Sequence, residues 1–168
     1  MRATTRSLYR IRQFVGSLWP RVDDELRDEA FGLLNEREQA LFLSMTPRDQ
    51  QHCLSVYRRL RTEGHEDRAL LTAALLHDVG KGEIALWHRV AYVLLESGAP
   101  GLLRRSASPG SGRGWRQTFY RCLHHPRLGA ELARGAGCSE QVAVLIGTAD
   151  DDAADERLLA LRAADDAV

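Results

Sequence analysis

At 168 residues, with 44% apolar and 27% charged residues, the chain has the size and make-up of one soluble globular domain with a sizeable core. Its 23 basic and 23 acidic residues cancel, which argues against a general nucleic-acid binder. Cys53, Cys122 and Cys138 are odd in number and lack CxxC spacing, so neither a disulfide framework nor a zinc ribbon is expected, and a reducing cytoplasm is the default setting.

The basic N-terminus has no uninterrupted apolar core and no cleavage pattern of a secretory leader. Residues 8–19 and 22–34 read as two short helices separated by Pro20. Residues 35–45 form a third, with Leu41, Phe42 and Met45 inward. Thr46-Pro47-Arg48-Asp49 then gives an N-cap, a proline at the first helical position and an acid in the first turn. That helix runs to about Thr62 and stops at Gly64. Glu66 and Asp67 open the next, which Gly80 stops. Residues 83–96 suit a further helix, and residues 106–114 (SASPGSGRG) form a breaker-rich loop.

Helices are expected over 115–123, 126–136 and 139–148, with Pro126 at a first helical position, His125 at the N-cap before it, and Ser139 as another N-cap. The run Asp150-Asp151-Asp152 is a turn or the start of the last helix, which carries Leu158, Leu159 and Leu161. Strand-like alternation is scarce, so the expected fold class is all-α. The longest apolar stretch, residues 84–95, is interrupted by His88 and Arg89, so no membrane span is expected. Residues 84–103, followed by Arg104-Arg105, could lie on a membrane surface, but packing on the core is the favoured reading.

The polar residues placed among apolar ones carry the chemistry. His52 shares a helix face with Val56 and Leu60. Alone, it reads as a hydrogen-bonded core histidine. His77 shares a face with Leu70 and Ala74, and Asp78 shares one with Leu71 and Leu75. Adjacent helical side chains diverge by about 100°, yet both can converge on an ion beyond the helix end. A buried carboxylate at Asp78 needs a partner: an arginine, a helix to cap, or a cation. The chain has 22 arginines and one lysine, and that lysine is Lys81. Asp165 continues the stripe of Ala154, Leu158 and Leu161, whereas Asp166 sits nearer the edge. His65 falls in a turn, and His88 reads as core.

The order His52, His77-Asp78, Asp165 resembles the HD domain superfamily of metal-dependent phosphohydrolases. The likeness covers residues 46–168 through the segments DQQHCLSVYRRL, ALLHDVGKG, LHHPRLGAELA and LLALRAADDAV. The resemblance implies an HD-type helical bundle over residues 47–168, preceded by an N-terminal helical extension over 1–46 packed on it. It implies that His52, His77, Asp78 and Asp165 are metal ligands. It further implies that Lys81 contacts phosphate, and that His125 matches a histidine that binds a second metal in binuclear branches. The chain has Gly147, Thr148 and Ala149 where those branches carry a further histidine, and it has no GYP motif. One ion is therefore expected rather than two.

Imidazole plus carboxylate suits Mn, Fe, Zn, Ni or Co. The expected function is hydrolysis of a phosphomonoester or phosphodiester, with a nucleotide as the substrate class. Asp78, Lys81 and His125 are the expected catalytic groups: Asp78 orients or deprotonates water, Lys81 neutralises phosphoryl charge, and His125 donates a proton to the leaving oxygen. The alternative is a regulatory, nucleotide-binding module of the same fold without turnover.

Overall fold

The computed structural model describes residues 22–82, 92, 95, 97–107, 115–148 and 155–168. These residues form an all-helical fold, and no strand occurs among them. The α-helices whose bounds fall among the described residues are α1 (Asp24–Phe31), α2 (Glu36–Leu43), α3 (Pro47–Thr62), α4 (Arg68–Leu76), α5 (Pro100–Ser106), α6 (Trp115–Gly135), α7 (Glu140–Gly147) and α8 (Glu156–Asp166), with a 3-10 turn, Val79–Lys81, after α4. The expected helix over 8–19, all of 83–96 except the helical Tyr92 and Leu95, and most of the 106–114 loop lie outside the described residues.

Local chemistry sets the helix starts. Asn35 and Glu38 form a reciprocal capping box at α2: the Asn35 side chain accepts from the Glu38 N–H, and the Glu38 carboxylate accepts from the Asn35 N–H at 2.8 Å. Thr46 caps α3 by accepting from the Asp49 N–H, with Pro47 in the first turn. Asp67, Ser139 and Asp155 cap α4, α7 and α8 in the same way. Gly64 takes φ +88° and ends the turn after α3.

At the centre lies α4, in which every residue from Leu70 to Leu76 is buried. A helix apolar all round has no solvent face and must be enclosed by others. Helices α2, α3, α7 and α8 enclose it, and α6 lies against the 3-10 turn and α7. Each leucine fully buried there contributes about 1.5–3 kcal/mol. Ala30, Leu34, Phe42 and Met45 join the same core, so the helices before Thr46 pack on the bundle. Phe42 and Met45 are buried as expected, whereas Leu41 is only half-buried.

Two expected boundaries differ. Gly80 does not stop the His-Asp helix; α4 ends at Leu76, and Gly80 sits inside the 3-10 turn with Gly82, at φ +64°, beyond it. Gly80 is there for space: a Cβ on it would overlap the carbonyl of His125 and lie 2.7 Å from the Gly129 nitrogen. The second difference is α6, which runs unbroken through Pro126. His125 is therefore not an N-cap but a residue in mid-helix.

Candidate metal centre

Two helix ends and one helix interior bring the expected ligands together. The cap at Thr46 places His52 in the second turn of α3. His77 is the C-cap of α4, and Asp78 follows it into the 3-10 turn. Asp165 comes from the last turn of α8, which Arg162 ties to the end of α7 through a hydrogen bond to the Thr148 carbonyl at 3.3 Å.

His52, His77 and Asp78 offer ligand atoms that all lie within 4.8 Å of one another, a group able to hold a metal ion. Asp165 adjoins it. His52 Nε2 donates to Asp165 Oδ1 at 2.7 Å, and His77 Nε2 lies 3.5 Å from that same oxygen. His77 Nε2 is also 3.5 Å from Asp78 Oδ1, and His52 Nε2 is 4.0 Å from Asp78 Oδ2. Metal–ligand bonds near 2.1 Å place neighbouring ligands about 3–3.5 Å apart. The two 3.5 Å separations at His77 match that spacing, while the His52–Asp165 pair is shorter and the His52–Asp78 pair longer.

The protonation pattern is the sharper test of fit. His77 Nδ1–H donates to the Ala74 carbonyl at 2.9 Å, with the Cys53 sulphur 3.7 Å away. In the neutral form of the ring, that bond leaves the Nε2 lone pair facing Asp78 and Asp165. Among the described residues, His77 Nε2 is the one buried side-chain polar atom without a hydrogen-bond partner. Such an atom needs an explanation, and a cation between two carboxylates supplies one.

Lys81 adds charge. Its Nζ lies 2.6 Å from each oxygen of Asp78, whose side chain is only 2% exposed. Burial pushes the Asp78 carboxyl up, but His77, Lys81 and His52 outweigh it and the net direction is down. The hydrogen bond from His52, and then the neighbouring His77 imidazole, hold Asp165 far below the ordinary carboxylate range. Burial acts to lower the His77 imidazole, yet neighbouring Cys53 and Asp78 carry it well above the ordinary value.

His125 reaches the same place from α6, with Nε2 4.0 Å from Asp78 Oδ1. Its Nδ1–H donates to the Cys122 carbonyl at 2.8 Å. Burial, and then the charge of Lys81, lower its pKa and favour the neutral ring. His124 is exposed and pairs with the Tyr120 ring at 4.4 Å, away from this cluster. His65 sits in the turn after α3, and His88 lies outside the described residues. Sequence reasoning missed Cys53 behind His77, and Arg121, which shares a face of α6 with His125. The signal for Arg121 is its spacing of one helical turn from His125, which counts only once the helix continues through Pro126.

No helix among the described residues is long and apolar enough to cross a membrane. No protein-family model, curated protein or solved structure matches this chain.

Proposed function

We propose that the protein is a metal-dependent phosphohydrolase of HD-domain type, holding one divalent transition metal and acting on a small phosphorylated substrate of the nucleotide class. The observation that carries this reading is the orphaned Nε2 of His77, held between two carboxylates with the chain's single lysine beside them. His52, His77, Asp78 and Asp165 would hold the ion, and the mixed imidazole and carboxylate set suits Mn, Fe, Zn, Ni or Co. Such an ion supplies Lewis acidity, polarising a phosphoryl oxygen and making water a better nucleophile near neutral pH.

The chain's own residues supply the rest. Asp78, fixed by burial and by Lys81, orients the attacking water. Lys81 offers its ammonium to phosphoryl charge once Asp78 turns to the cation. With Nδ1–H engaged on Cys122, neutral His125 presents an unprotonated Nε2. It therefore first accepts a proton, taken from the water, and passes it to the leaving oxygen afterwards. Direct donation by His125 from the resting state does not fit this tautomer.

Elemental analysis of the purified full chain, combined with a panel of nucleotide and phosphodiester substrates, tests the proposal. Stoichiometric transition metal and turnover that His77→Ala and Asp78→Ala both abolish are expected. Full turnover in both variants after metal stripping would sink it. Nucleotide binding without turnover, with every candidate metal supplied, would point to the regulatory module instead.

A further inference from the structure

We infer that Arg121 is the second cation of this site and that, together with Lys81, it selects a doubly charged phosphate group, that of a phosphomonoester, over the singly charged phosphate of a diester. This rests on the phosphohydrolase reading above and narrows its substrate class.

The placement follows from how α6 crosses the His-Asp segment. Arg121, His125 and Gly129 recur at four-residue spacing and share one helix face. Gly129 meets the backbone of Gly80, and a Cβ on it would stand 3.5 Å from the Gly80 nitrogen. His125 points at Asp78, at 4.0 Å. One turn further, the Arg121 guanidinium lies against Gly82: a Cβ there would fall on Arg121 Nη1. Gly82 takes φ +64°, which favours glycine, and having no side chain it leaves the guanidinium room beside the backbone that carries Lys81.

Arg127, on the same helix, pairs with Glu131, whereas Arg121 pairs with no carboxylate among the described residues. It is exposed, open to a ligand arriving from solvent. Charge then sets the ligand class. A divalent ion balances Asp78 and Asp165, which leaves Lys81 and Arg121 as two uncompensated positive charges. A phosphate dianion matches both; a diester matches one. The planar guanidinium adds a two-pronged contact to phosphate oxygens that lysine cannot make.

The test uses the full chain loaded with Mn2+, titrated calorimetrically with inorganic phosphate and with dimethyl phosphate at a pH where the first is a dianion. Arg121→Ala is expected to weaken phosphate binding about tenfold or more, the worth of a charge-assisted contact. Mn2+ affinity should stay unchanged, and the loss for dimethyl phosphate should be clearly smaller. Arg121→Lys should recover part of the loss, and Arg127→Ala, on an arginine paired with Glu131, should behave as wild type. Unchanged phosphate affinity in Arg121→Ala with Mn2+ retained would overturn the inference, and so would equal losses for the two anions. If Asp78→Asn abolishes phosphate binding while Arg121→Ala does not, the inference alone fails. Wild-type protein that holds Mn2+ but takes no phosphate would overturn the hydrolase reading along with it.

Discussion

The Nδ1–H of His125 bonds at 2.8 Å to the carbonyl of Cys122, the carbonyl that Pro126 leaves without its helical donor. A proline in mid-helix has no N–H to give to the residue four positions back. Here the neighbouring imidazole fills that vacancy. The exchange fixes the ring's tautomer and turns Nε2 toward Asp78. The proline thereby acts on the site without touching it.

Pro126→Ala restores the missing backbone donor, which then competes with His125 for Cys122. Helix stability should rise, by less than the ~3 kcal/mol of an interior proline because His125 already satisfies the Cys122 carbonyl, read by urea unfolding. The His125 ring should lose its single tautomer, read from imidazole nitrogen shifts, and turnover should fall while metal stays bound. A ring that keeps one tautomer in the variant would contradict this account.

Proton and metal compete for one nitrogen, Nε2 of His77. With its folded pKa raised above 6.5, His77 stabilises the metal-free protein fully below 6.5, and that contribution is lost as pH rises through the folded value. Asp78 and Asp165 are lowered from 3.8, so their contribution is present above 3.8 and lost as pH falls through their folded values. Metal-free protein should therefore be most stable between these limits. Metal loading below the folded pKa of His77 should release about one proton, and metal affinity should rise with pH across it. Calorimetry in two buffers of different ionisation enthalpy measures the release; no buffer dependence would reject the competition.

Most of the helical frame is legible in the sequence because caps are local. Thr46 with Pro47, Asp67 and Ser139 each mark a helix start through a side chain bonding its own backbone. Helical spacing likewise places Asp165, rather than Asp166, against His52. What spacing cannot supply is the crossing of α6 over the 3-10 turn. Pro126 reads locally as a helix start, since only the His125 bond to the Cys122 carbonyl and the packing around Gly80 and Gly129 favour a continuous helix. Reading a break there separates Arg121 from His125 and hides their shared face. The role of Gly80 is hidden for the same reason: a stop and a close approach both call for glycine.

That ambiguity can be resolved by measurement. Gly80→Ala drives a methyl group into the backbone of His125 and Gly129, neither of which can yield like a flexible side chain. Overpacking of this kind costs about 2–3 kcal/mol. Gly64→Ala meets nothing within 4 Å and bears only the strain of φ +88°, about 1–2 kcal/mol. Urea unfolding should rank the losses in that order, and only Gly80→Ala should also weaken metal binding, because it separates α6 from Asp78. Equal losses, with metal binding intact in both, would show that Gly80 serves only as a turn.

Asp165 and Asp166 give the sharpest contrast near the end of the chain. Asp165 accepts from His52 at 2.7 Å and faces His77 at 3.5 Å, whereas Asp166 is exposed. Asp165→Asn keeps an oxygen that can accept from His52, so metal-free stability should change by no more than about 1 kcal/mol. It removes the negative charge that a divalent ion needs, so metal affinity should fall by at least about 10–100-fold. Asp166→Asn should leave both quantities near wild type. Metal titration of the two variants side by side decides the matter: equal affinities would remove Asp165 from the ligand set and leave His52, His77 and Asp78 to hold the ion alone.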